Sequence, residues 1–256
     1  MTENIILTLN SKNGGVNDTP QDFTITLNNG LNYYEGDYLI ALSKANLWYS
    51  WYNISTALGN NKFVYNDGAT DTTITFPDGN YTVQALDAYI KSQMKANGDT
   101  GTDANGNDIF YIQLIPNFNT SKVRIVISGG YSVKFNDGNI YQILGFTNGQ
   151  TVNSTTEGAV HADITNGINA VLIRCDLVDS SRSIENGSIS DVIYSFFPAA
   201  PPSTHLEIVP FNRDYVRLNS RYVDSVRMRI TDQNGNIIDL NGEPVTYQLS
   251  IIKANE

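Results

Sequence analysis

The chain has a single cysteine, Cys175, so it can form no disulfide within itself and no cysteine-built metal cluster. Its two histidines, His161 and His205, lie in separate loop-like contexts, without the second and third ligands that a metal site needs at defined spacing. No Gly-x-Ser-x-Gly elbow, phosphate-binding loop or dinucleotide fingerprint is present, so the common sequence-readable routes to catalysis and cofactor binding have no support. No run of about 18 apolar residues occurs, and no membrane-spanning helix is expected. The first ten residues carry neither a basic start nor a long apolar stretch, so no secretory leader is expected. Charged residues make up only 16% of the chain, well below the usual share. Positive charge is scarcest. The net charge is −10, and all eight arginines lie from Arg124 onward. Phosphate neutralisation needs clustered basic residues, so direct nucleic-acid binding is not expected.

Amides, hydroxyls and glycine fill the place of the missing charge. With 41% hydrophobic and 11% aromatic residues there is ample material for a core. Of the 20 glycines, twelve directly follow Asn or Asp, among them Gly30, Gly68, Gly138, Gly149 and Gly235. Such pairs accept the positive φ angles of tight turns between antiparallel strands. Between these turns lie β-rich runs at 5–9, 23–27, 38–51, 62–65, 72–76, 110–115, 123–127, 131–135, 168–177, 192–197, 206–210, 215–218, 225–231 and 245–252. In the 225–231 run Val226, Met228 and Ile230 share one face, and Arg227 and Arg229 share the other. The class is all-β, with a sandwich as the expected architecture.

Two segments break the pattern. Residues 82–94 place Val83, Leu86, Ile90 and Met94 near a 3.6-residue period, with Thr82 as N-cap and Gly98 beyond the end. Residues 139–144 suit a short helical turn closed by Gly145. The polar stretches 96–108 and 147–166 read as loop insertions in one domain spanning 1–256. Asp99, Asp103, Asn105, Asn107 and Asp108 faintly resemble a calcium loop. Gly106 falls at the wrong position and no closing Glu follows, so a solvated loop is the better reading.

Candidate functional residues are therefore candidates for contact, not for catalysis, cofactor binding or metal ligation. The densest aromatic run is Leu47 to Tyr52, holding both tryptophans. On a continuous strand Trp48 and Tyr52 face one way and Tyr49 and Trp51 the other, so one set needs a partner beyond the core. The densest basic series is Arg213, Arg217, Arg221, Arg227 and Arg229, against a net −7 over residues 1–120. Trp48, Trp51 and these five arginines are the candidate subunit interface. Cys175, in the apolar run from Ala170, reads as a buried structural thiol.

A resemblance runs through the last two-thirds of the chain. It comprises the apolar strand Ile168 to Leu177, then Ile193-Tyr194-Ser195-Phe196-Phe197-Pro198 with Pro201-Pro202, and Glu207 to Pro210. Tyr215 to Leu218, Met228 to Gly235 and Asn241 to Leu249 follow, and earlier come Pro77 to Tyr81 and Leu144-Gly145-Phe146. In this order they resemble the minor capsid, or penton, proteins of virophages and Maverick/Polinton-like elements. The resemblance implies a single jelly roll, five copies of which close an icosahedral vertex among double-jelly-roll major capsid proteins, in a virion assembled inside a host cell. It implies no catalytic residues and no cofactor. Ile127-Ser128-Gly129-Gly130 is similar to the recognition pattern of adenovirus-type maturation proteases, but its place between two strand-like runs reads as a hairpin turn. Two further readings stay open: a jelly-roll carbohydrate- or receptor-binding module using Trp48, Trp51 or the loops, and a β-sandwich hydrolase whose carboxylate pair is invisible in sequence.

Overall fold

The computed structural model describes residues 4–32, 37–136, 138–165, 167–180, 184–185 and 187–254. The chain divides into two compact units, one of residues 1–51 with 168–256 and one of 52–167. Each has its own hydrophobic cluster.

The first unit is built on eight strands: Asn4–Asn10, Asp22–Asn32, Tyr38–Trp48, Val171–Cys175, Val192–Phe196, His205–Ile208, Tyr222–Asp232 and Thr246–Lys253. One sheet runs first, eighth, third, sixth, with the short strand Val216–Arg217 also paired to the third, and the other runs fifth, fourth, seventh, second. All these pairings are antiparallel. That order is a jelly roll, with the 52–167 unit inserted in the chain between its third and fourth strands. Strand alternation explains the core. Val226, Met228 and Ile230 of the seventh strand are fully buried, as are Ile40 of the third and Leu249 and Ile251 of the eighth. The third strand needs a correction of phase. Gln248 pairs with Lys44 but Leu249 with Leu42, so Ser43 is an extra residue. This bulge moves the inward side from Ile40 and Leu42 to Ala45 and Leu47.

One core residue carries a liability. Tyr247 is 1% exposed, and its ring is stacked on Phe23 with centroids 6.0 Å apart. Its hydroxyl has no hydrogen-bond partner among the described residues. Tyr247→Phe is expected to raise stability by about 1 kcal/mol, because it removes an unsatisfied buried polar group and keeps the ring. Urea unfolding checks this, and a loss of stability would show that the hydroxyl is satisfied.

The second unit holds a four-stranded sheet of Thr151–Val152, Ser132–Lys134, Lys62–Asn66 and Asp71–Thr75, and a three-stranded sheet of Thr156–Glu157, Lys122–Ile127 and Ile112–Asn117. Its helix, Val83–Asn97, starts where the Thr82 hydroxyl accepts from the Ala85 N–H and stops at left-handed Gly98. Val83, Leu86, Ile90 and Met94 form its buried face, as their spacing requires. The short helix Tyr141–Leu144 ends on Gly145 with φ 79°. A Cβ at Gly145 would lie 2.3 Å from the Val160 carbonyl oxygen. Gly145→Ala is therefore expected to cost about 2 kcal/mol, from the left-handed φ and the displaced backbone. A thermal unfolding midpoint unchanged by the substitution would contradict this.

The two polar stretches expected as loops carry structure. Within 96–108, Gly101–Thr102 pairs with Asp108–Ile109. Within 147–166 lie the edge strands Thr151–Val152 and Thr156–Glu157, one for each sheet. The Asp103 carboxylate accepts from the Asn105 and Asn107 N–H groups and the Asn107 amide, which makes a turn. Asp232 repeats this arrangement with Asn234 and Asn236. At Ser128 the chain turns tightly, with Tyr131 N–H donating to the Ser128 carbonyl and positive φ at Gly129 and Gly130.

Asn53 ties three segments of this unit together while 92% covered. Its side-chain amide donates to the carbonyls of Tyr81 and Ile164, each at 2.8 Å, and its side-chain oxygen accepts from Tyr81 N–H at 2.9 Å.

Candidate assembly surfaces

Arg227 and Arg229 project from the outer face of the second sheet of the jelly roll, opposite the buried Val226, Met228 and Ile230. Both are engaged within the chain. Arg227 grips Asp22 of the neighbouring strand through two nitrogens, at 2.8 and 2.7 Å. Arg229 pairs with Asp191. Beside it Arg174, 11% exposed at the side chain, bonds Asp191 at 2.9 Å, Glu185 at 2.8 Å and the Thr231 hydroxyl at 2.9 Å. Burial pushes the Asp191 carboxyl up, but Arg174 and Arg229 outweigh it and hold the group below its ordinary value. Asp176 lies on the other side of the balance. Its burial raises its pKa against the hydrogen bond it accepts from Arg227 N–H.

Arg217 pairs with Asp37. Arg213 and Arg221 are exposed, and neither forms an ion pair with a described residue. The arginine series thus splits into three residues paired with carboxylates of their own chain and two with no carboxylate partner among the described residues. Sequence spacing could not separate them, because their acidic partners lie far away in the chain: Asp22 is 205 residues from Arg227.

The tryptophans separate as well. The strand ends at Trp48, so strict alternation stops there. Trp51 is 4% exposed, belongs to the jelly-roll core and stacks on Tyr49 with ring centroids 4.1 Å apart. Trp48 is 42% exposed and meets His205 edge-on at 5.6 Å. Of the two, only Trp48 offers a surface. Exposed apolar residues that the pattern did not single out include Val16, Phe118 and Ile189, and, in one proline-punctuated segment, Phe197, Val209 and Phe211. The visible signal was faint: Pro198, Pro201, Pro202 and Pro210 punctuate the same segment.

No group of His, Cys, Asp and Glu among the described residues is arranged to hold a metal. Cys175 is completely buried, and desolvation pushes its thiol up, away from the thiolate a nucleophile needs. No helix among the described residues is long and apolar enough to cross a membrane.

No protein-family model matches the sequence, and no curated protein does. The fold does have solved counterparts. The crystal structure of the mavirus penton protein superposes with a TM-score of 0.54, covering 98% of this chain and 100% of that one at 10% identity. The chain shares that protein's fold. A structure of the Sputnik virophage by cryo-EM aligns over 98% of each chain at 10% identity, with a TM-score of 0.46. At such low identity the penton likeness lies in the backbone path. That the match spans the mavirus chain from end to end means it takes in the inserted 52–167 residues as well as the jelly-roll strands.

Proposed function

We propose that this chain is a structural virion protein: a penton, or minor capsid, subunit whose five copies close the vertices of an icosahedral capsid. The observation that carries the reading is the shared fold over the full length of both chains, 98% of this one and 100% of the mavirus penton protein. In this reading residues 1–256 act as one capsid protomer, with double-jelly-roll major capsid proteins as neighbours and the virion, assembled in an infected cell, as its location. The residues that would carry chemistry fit the same reading. Cys175 is sealed in the core, His205 packs on Trp48, and the carboxylates Asp191 and Glu185 are occupied by arginines.

A jelly-roll carbohydrate- or receptor-binding module is the second reading, favoured by the half-open Trp48 beside His205. Native mass spectrometry separates the two. A penton subunit is expected to give a pentamer, and a monomer or trimer that binds a glycan array would favour the module.

A further inference from the structure

The connection 209–215 leaves the jelly roll and returns to the same strand. Ile208 pairs with Ala45, and Val216 pairs with Ile40, so both feet of this arch stand on Tyr38–Trp48. Near its end the Tyr215 hydroxyl lies 3.1 Å from the Ser250 hydroxyl of the adjoining strand, and near its start Pro210 is buried. The crest is different. Phe211 is 100% exposed, Val209 is 60% exposed, and Arg213 is exposed without an ion pair to a described residue.

A phenyl ring held wholly in water adds nothing to the stability of its own subunit. Because the arch is tied at both feet, the ordering cost that a docking loop would otherwise meet on binding is already met in folding. The Arg213 side chain bonds Tyr215 but meets no carboxylate among the described residues, and phenylalanine and arginine are both side-chain types enriched in interfaces.

We propose that the 209–215 arch is the contact through which one copy of this chain seats on the next, with Phe211 entering an apolar recess of the neighbour and Arg213 meeting a neighbouring carboxylate. Charge points to a second copy as the occupant. Each chain carries −10, so copies repel unless a seam brings opposite charges together. Arg217, Arg227 and Arg229 are spent on Asp37, Asp22 and Asp191 of their own chain. Arg213 remains available to the acidic surface that another copy presents. A contact between an arch and a different patch is head-to-tail, the kind that closes rings. The inference rests on the homo-oligomeric reading above and names its contact.

The test compares sedimentation of the full chain with Phe211→Ser, Arg213→Glu and, as a control, Phe197→Ser, which alters another exposed phenylalanine. Circular dichroism and thermal unfolding confirm that each variant is folded. The wild type and the Phe197→Ser variant should associate alike, while Phe211→Ser should associate roughly 30-fold more weakly, as loss of a hot spot does. Arg213→Glu should weaken association most at low salt. If folded Phe211→Ser and Arg213→Glu variants assemble as the wild type does, the arch is not the seam, although the penton reading survives. If the wild type stays monomeric at every concentration, both the seam and self-assembly by this chain are overturned.

Discussion

Asn53→Ala is expected to destabilise the 52–167 unit by about 4 kcal/mol, enough to consume much of the stability a domain of this size possesses. The substitution removes one small side chain but strands three backbone groups in a covered site. The Tyr81 and Ile164 carbonyls lose their donor, and the Tyr81 N–H loses its acceptor. Each such orphan costs about 1–3 kcal/mol. Asn80→Ala is the matched control. Among the described residues its side-chain oxygen accepts from Asn53 N–H alone, at 3.2 Å, so about 1 kcal/mol should be lost. Hydrogen exchange locates the effect: amides of 52–167 should lose protection more than those of the jelly-roll strands, because the two hydrophobic clusters are separate. A loss below about 1 kcal/mol for Asn53→Ala would mean that water replaces the amide at no cost, against the burial seen. Asn53 also begins an Asn-Ile-Ser triplet of the kind that accepts glycans, but its amide is engaged by two backbone carbonyls.

Arg174→Met is expected to cost about 3–5 kcal/mol, because it leaves the half-buried Glu185 without its cation and Asp191 with Arg229 alone. Removing the charges together should recover most of that loss. The triple change Arg174→Met, Glu185→Gln, Asp191→Asn is expected to be far closer to the wild type than the single change. The same cluster fixes a pH dependence. The Asp191 carboxyl has its pKa lowered from an ordinary 3.8 in the folded chain. Its contribution is therefore fully present above that ordinary value and is lost as the pH falls through the lowered one. Acid unfolding curves should show the wild type losing this increment below about pH 4, and an Asp191→Asn variant lacking it. An identical pH profile for the two would remove Asp191 from the account.

Much of this fold was legible because its signals are local. Asn-Gly and Asp-Gly turns and period-two runs marked the strands, and the 225–231 run assigned Val226, Met228 and Ile230 to the core and Arg227 and Arg229 to the outside. Thr82, Gly98 and Gly145 marked helix ends by the geometry they alone adopt easily. What stayed hidden depends on distance along the chain. The bulge at Ser43 follows from pairing with the Thr246–Lys253 strand, and it resets which residues face inward. The insertion between the third and fourth strands has no proline- or glycine-rich linker at Trp51-Tyr52 to announce it. The candidate surface suffered most from this. Arg227 and Arg229 looked available because Asp22 and Asp191 could not be placed beside them, and Trp51 looked surplus because the strand was expected to continue through it. Phe211 was overlooked because a lone phenylalanine in a loop carries no period, and only its exposure on a tethered arch sets it apart.

Electron microscopy of the purified full-length chain tests the central claim most directly. Particle averages are expected to show a ring of five subunits with five-fold symmetry. Averages showing only monomers, or a closed ring of any other order, would contradict the assignment to the capsid vertex.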